Sequence, residues 1–285
     1  MSLVEKAIRK LQEEKRSSGE VSAPAQEHVT GAPPGRHQAA IVLERGALRA
    51  AGLMPPEEEW GLLARQYRKI KHPLIAQAIG RGTPRAPKGY LIMVASAMAG
   101  EGKSFTALNL ALSLALEKDL RVLLVDADVA KPQLSHVLGL GKARGLLDAL
   151  REEKLDVESL LYPTDVPTLS FLPAGADAGG ATELLSSSRM ERIAALLGQH
   201  DSQRIVVIDS PPLLQTTEAT ALARVAGQIV VVVRAESTAQ PVLLDALKTL
   251  DGHPAVSLVL NQSVRAATSA YYDSYGSERS DVRSA

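Results

Sequence analysis

The sequence contains no cysteine. Disulfides and thiolate metal sites are therefore excluded, and the chain suits a reducing compartment. Aromatic residues make up only 3%, with one tryptophan and two phenylalanines. Neither sign of charge is in excess, at 32 Lys plus Arg against 32 Asp plus Glu, so composition gives no sign of a nucleic-acid binder. No apolar run approaches the ~20 residues of a membrane span. The longest, around Ile229 to Val233, has the length of a strand. The N-terminus is charged early and lacks a signal-peptide core. These absences leave a soluble, intracellular chain with one sizeable domain plus appendages as the expectation.

The strongest positive signal is Ala97-Met98-Ala99-Gly100-Glu101-Gly102-Lys103-Ser104. It follows the apolar run Tyr90–Ser96 and precedes the helical pattern that begins at Phe105. A strand, a glycine-rich turn and a helix in that order form a phosphate cradle, with Ala97 where the strict P-loop pattern has its first glycine. Gly100 and Gly102 can take positive φ cheaply and leave room for a ligand. Successive N–H groups then ring an anion, helped by the unpaired N–H groups at the helix start. Ala99, Gly100, Glu101, Gly102, Lys103, Ser104 and Phe105 form the candidate nucleotide-binding set. Lys103 would reach the terminal phosphates of ATP, and Ser104 would offer its hydroxyl to Mg²⁺.

Composition divides the chain into an amphipathic N-terminal helix (1–15), a linker (16–40), a helical lead-in (41–89), a P-loop domain (90–262) and a tail (263–285). In the first segment Leu3, Val4, Ala7, Ile8 and Leu11 share a face, and Ser2 and Glu5 have capping-box spacing. The linker is rich in Ser, Gly, Pro, Ala and Gln, a disordered composition. Residues 41–54 suggest a short strand and turn. Glu57 to Gln77 suggests a helix interrupted at Pro73, with a basic stripe of Arg65, Arg68, Lys69 and Lys71 that a solvated helix face would explain. Beyond Gly89, apolar runs at Arg121–Asp126, Thr168–Leu172, Arg204–Asp209, Gln228–Val233 and Val256–Asn261 alternate with helical patterns at 104–117, 180–198, 217–225 and 240–250. This order predicts an α/β fold: a P-loop NTPase of deviant Walker type, with a mostly parallel sheet covered by helices on both faces.

Ligands in such sheets sit beyond the carboxyl ends of the strands. Two strand-like runs end in acid there, Val122–Asp126 followed by Ala127-Asp128, and Ile205–Asp209 followed by Ser210-Pro211-Pro212. Carboxylates at neighbouring strand tops would hold Mg²⁺ beside Ser104. Asp209 fits the Walker B role. Asp126 and Asp128 would point to opposite sides if the strand continued, so they are given different work. Asp128 is placed near the metal with Ser104 and Asp209. Asp126 is placed near the attacking hydroxyl, as base or metal ligand. Lys103, Asp126 and Asp128 are the candidate catalytic residues.

Three of the six tyrosines, Tyr271, Tyr272 and Tyr275, fall in the last 15 residues. The surrounding sequence has no sustained apolar period and suggests a mobile tail. Such a tail can dock on a partner through tyrosine contacts. It can also be a substrate, its hydroxyls entering a neighbour's site and gaining about two negative charges each on phosphorylation.

P-loop, double-aspartate strand end, Asp-Ser-Pro-Pro strand end and tyrosine tail, in that order, resemble the bacterial tyrosine kinases of exopolysaccharide production and export. The start Met1–Ala7 and the stretch Tyr67–Leu74 most resemble the exosortase (XrtA)-associated tyrosine autokinases. The resemblance covers residues 1–10 and 41–275. It implies ATP- and Mg²⁺-dependent autophosphorylation on Tyr271, Tyr272 and Tyr275, usually between subunits of a homo-oligomeric ring. It further implies a membrane-embedded chain-length or co-polymerase partner, a tyrosine phosphatase, no nucleic acid, and a cytoplasmic place at the membrane's inner face through that partner. It matches Asn261 to a position that often contacts adenine in related ATPases, and Tyr67, Arg68 and Lys71 to an inter-subunit helix.

The chain departs from the family at three places. Ala99 stands where proline is common, Ala130-Lys131 where two arginines are common, and Arg65-Gln66 where a glutamate usually precedes the tyrosine. The competing reading is a switch ATPase that partitions DNA or positions division. Its loop carries an extra lysine where this chain has Met98. A non-catalytic, ATP-dependent scaffold of an exporter would use the same cradle.

Overall fold

The computed structural model describes residues 38–80, 84–199 and 203–263. The N-terminal helix, all of the linker but its last three residues, and the tyrosines of the tail lie outside the described residues. The strands are β1 Leu91–Ser96, β2 Arg121–Asp126, β3 Tyr162–Pro163, β4 Leu169–Leu172, β5 Arg204–Asp209, β6 Gln228–Arg234 and β7 Val256–Asn261. They form one seven-stranded sheet in the order β3-β4-β2-β5-β1-β6-β7. Every neighbouring pair is parallel except β3 with β4. The helices are α1 Arg45–Ala50, α2 Trp60–Ile79, α3 Lys103–Leu114, α4 Gln133–Val137, α5 Leu146–Arg151, α6 Ala181–Leu185, α7 Ser188–Gln199, α8 Thr217–Val225 and α9 Gln240–Lys248.

Unbroken apolar strands follow from burial on both faces. On one face Met93, Ala95 and Val206 pack with Leu147, Ile193 and Leu222 from α5, α7 and α8. On the other, Ile92, Val94 and Val207 pack with Leu74 of α2 and Leu108 and Ala111 of α3. The alternation that sends neighbouring residues of β1 to opposite cores is the two-residue period of a strand.

The lead-in differs from the expectation at several points. Residues 41–54 give a single bridge from Ile41 to Thr164 in place of the strand, then the helix α1 and a turn at 51–52. Helix α2 runs through Pro73 without a break and ends at Gly80 in the left-handed region. Pro73 faces solvent, where water can satisfy the carbonyl that loses its donor. Lys71 does not join the solvated stripe. It is buried, donates to the Ser113 carbonyl at 2.6 Å, and pairs with Glu117 at 2.9 Å. The single helix expected over 180–198 is broken into α6 and α7. The break is at Ser186 and Ser187, where the Ser187 hydroxyl donates to the Leu184 carbonyl, a local bond that competes with helix continuation.

Candidate nucleotide site

The sheet order explains why three acidic or phosphate-binding motifs meet. β5 lies between β1 and β2, with Asp209 in register with Val94 on one side and Asp126 on the other. The carboxyl ends of these three strands therefore open onto one edge, at the crossover point where open α/β sheets bind ligands. The turn after β1 carries Gly100 at φ 84° and Gly102 at φ 94°. Gly102 caps α3 without a side chain, so the first N–H groups of that helix keep no intrahelical partner. A cleft of about 300 Å³ opens here, lined by Gly100, Gly102, Lys103, Ser104, Phe105 and Asn261 of the predicted set.

The three aspartates differ in their surroundings. Lys103 Nζ lies 2.9 Å from Asp128 Oδ2, with both residues buried. Asp126 is fully buried, and its Oδ2 accepts from the backbone N–H and the hydroxyl of Ser135, each at 2.8 Å. Its Oδ1 and both oxygens of Asp209 make no hydrogen bond of normal geometry, although the Ser104 hydroxyl lies close enough to Asp209 to favour its charged form. Burial pushes the Asp126 carboxyl up to about 6, against the two Ser135 hydrogen bonds. Burial, reinforced by Asp126 alongside, pushes Asp209 well above the usual carboxylate range, and Lys103 opposes this only in part. Unpartnered buried oxygens are costly and call for a cation or a donor.

Among the described residues no three His, Asp or Glu side chains form a self-sufficient metal cage. Mg²⁺ delivered with a nucleotide needs less, because phosphates and waters fill most of its octahedron and one or two carboxylates suffice. The orphaned oxygens of Asp126 and Asp209, together with the open glycine cradle, fit such a group. Asp128 is engaged by Lys103 in this state.

The remaining predicted residues hold the loop itself. The Ala99 N–H donates to Gln215 Oε1 at 3.3 Å. The Glu101 carboxylate, 5% exposed, accepts the Met98 N–H at 2.8 Å and the Thr238 hydroxyl. Asn261 Nδ2 donates to the Glu101 carbonyl at 3.0 Å. A Cβ on Gly102 would lie 2.0 Å from that same nitrogen, so a side chain there is strained by its φ and would also push the Asn261 amide off the Glu101 carbonyl. Sequence inspection missed Gln215, Thr238, Ser135 and Gln133, the last of which also lines the cleft. Thr238 follows the end of β6, so the strand-end rule was the available signal. Ser135 and Gln133 carried none. Tyr67 is buried, and desolvation drives its hydroxyl well above its usual range. Arg65, Arg68 and Lys69 are exposed.

Residues 89–261 match the AAA domain family model AAA_31. Tyrosine-protein kinase YwqD of Bacillus subtilis is 30% identical over 200 residues, covering 70% of this chain and 80% of YwqD. The chain belongs to the bacterial tyrosine-protein kinase family. EpsB of Ralstonia nicotianae is 35% identical over 161 residues, 56% of this kinase-family chain but only 21% of EpsB. The crystal structure of the VpsO kinase domain is similar at a TM-score of 0.60 and 28% identity, covering 73% of this chain and 100% of that domain. The chain thus spans about a fifth of the EpsB relative and the whole of the VpsO domain. As a family member it has the expected fold, a P-loop NTPase-like, mostly parallel sheet between helical layers.

Proposed function

We propose that this chain is an ATP- and Mg²⁺-dependent protein tyrosine autokinase whose acceptors are Tyr271, Tyr272 and Tyr275. The observation that carries the reading is the convergence of Lys103, Asp126, Asp128 and Asp209 on the edge occupied by the glycine cradle. Family membership supports it. When bound, the nucleotide supplies the phosphoryl group and the metal spreads its charge. The N–H groups of Gly100 to Ser104 hold the phosphates, and Lys103 neutralises them. Ser104 and Asp209 would hold the cation, joined by Asp128 once Lys103 turns to phosphate. A tyrosine hydroxyl is mostly protonated at neutral pH, with a pKa near ~10. Asp126, with its free Oδ1, would accept that proton during transfer.

Resemblance at Met1–Ala7 and Tyr67–Leu74 favours the exosortase-associated group and a role in exopolysaccharide polymerisation and export. It favours a homo-oligomeric ring, a membrane-embedded co-polymerase partner that brings the chain to the inner face of the membrane, and a phosphatase that resets the tail. No helix among the described residues is long and apolar enough to cross a membrane. Charge accumulating on the tail would loosen the ring by repulsion.

The test is intact-mass and peptide spectrometry after incubation with Mg-ATP. Phosphate should appear on the tail, disappear with Lys103→Met, and be mostly lost when the three tail tyrosines become phenylalanine. An unmodified tail under conditions where ATP is hydrolysed would replace the kinase with a switch ATPase. Label on Tyr67 or Tyr162 would contradict the tail as acceptor.

A further inference from the structure

Two contacts tie the phosphate cradle to the β6 and β7 side of the sheet, and a third closes the cradle on itself. The loop between β6 and α9 brings Thr238 against the buried Glu101 carboxylate. The Thr238 hydroxyl also accepts the Arg234 N–H at 3.1 Å, which commits its own hydrogen to Glu101. The other Glu101 oxygen accepts the Met98 N–H, across the turn from Gly100. Asn261 completes the set through the Glu101 carbonyl, and its own carbonyl accepts the Ala235 N–H at 2.9 Å. Glu101 thus links the first half of the cradle, the β6–α9 loop and the end of β7.

We infer that Thr238 is a positioning residue for nucleotide binding, acting through Glu101 to fix the cradle in the shape that faces phosphate. A buried carboxylate is an unusual neighbour for an anion-binding loop, because its charge opposes the ligand. Its two hydrogen bonds explain why it is kept there. They turn the carboxylate inward, hold the Met98 peptide, and leave the N–H groups of Gly100, Gly102 and Lys103 for the ligand. Without the Thr238 hydroxyl, one buried carboxylate oxygen loses its donor, and the side chain is driven to swing outward towards the phosphates. The inference rests on the cradle binding a nucleotide, and it adds a residue that is not among those lining the cleft.

The experiment compares Thr238→Val, Thr238→Ser and the wild-type full chain. Affinity for Mg-ADP is measured by calorimetry, thermal melting is followed in the absence of nucleotide, and ATP kinetics are run where transfer is observed. Loss of one hydrogen bond to a buried charged group predicts an affinity about tenfold weaker for Thr238→Val. Thr238→Ser should match wild type within about twofold, the hydroxyl being retained. KM for ATP should rise with kcat little changed, because the cradle holds phosphate in both ground and transition states. Glu101→Gln combined with Thr238→Val should weaken binding by less than the product of the single effects. Wild-type affinity in Thr238→Val would overturn the inference while leaving the nucleotide reading intact. So would a loss that follows the melting temperature and is not rescued by serine. Failure of the wild-type chain itself to bind nucleotide would overturn both.

Discussion

Lys103 Nζ is held 2.9 Å from Asp128 Oδ2, so the cation that should meet phosphate is paired with a carboxylate from the loop after β2, the strand beyond β5. The pair is buried, and neither charge can be removed alone without stranding the other. Lys103→Met should therefore abolish nucleotide binding and also cost about 3 kcal/mol of stability. Lys103→Met with Asp128→Asn should recover most of the melting temperature but none of the binding. Calorimetry and thermal melts on both variants separate the two effects. Recovery of binding in the double variant would remove Lys103 from the phosphate site.

The buried Asp126 makes a pH prediction. Its carboxyl is raised from 3.8 to about 6 by burial. Between those values the folded chain retains a proton that the unfolded chain has released, so folding is favoured on the acid side. Stability contributed by this group falls as pH rises from 3.8 to about 6, and the penalty is constant above that. Asp126→Asn keeps an oxygen for Ser135 and removes the penalty. It should raise the melting temperature at pH 7.5, by the equivalent of at most roughly 3 kcal/mol, and the gain should shrink towards pH 4. A gain of equal size at both pH values would show that charge burial is not its cause.

Much of this site was legible because strand ends announce themselves. Arg121–Asp126, Arg204–Asp209 and Val256–Asn261 have the bounds that their apolar runs suggest, and each ends at the ligand-binding edge. Two kinds of feature were not legible. Short helices such as Gln133–Val137 hold fewer than two turns, too few to show a 3.6-residue period. The pairing of Asp128 with Lys103 and of Glu101 with Thr238 depends on sheet order, and order is not written in any local window. Only once β5 is seated between β1 and β2 does Asp209 become the neighbour of Asp126.

The two cradle glycines should not be equivalent. Both have positive φ, so alanine is strained at either by roughly 1–2 kcal/mol. A Cβ at Gly100 meets nothing within 4 Å, whereas one at Gly102 would lie 2.0 Å from Asn261 Nδ2. Gly102→Ala should weaken Mg-ADP binding much more than Gly100→Ala. Adding Asn261→Ala should restore part of the loss, because it removes the collision but not the strain. No rescue by Asn261→Ala would mean that the backbone conformation alone sets the requirement.

Helix α2 offers the last prediction, because its basic residues are divided between two faces. Arg65, Arg68 and Lys69 face solvent, while Lys71 is buried with its amine on the Ser113 carbonyl and Glu117. Lys71→Ala loses the stem's packing and both polar contacts, and should lower stability by about 2–4 kcal/mol. Lys71→Met keeps the stem without stranding a cation and should cost less. Arg68→Ala should leave the melting temperature within ~2 °C, since exposed ion pairs and single surface charges contribute little. If this helix is an inter-subunit element, Arg68→Ala should instead reduce the assembly size seen by light scattering. A shared loss of stability in Arg68→Ala and Lys71→Ala, with unchanged assembly, would make the whole stripe a packing feature of α2 against α3.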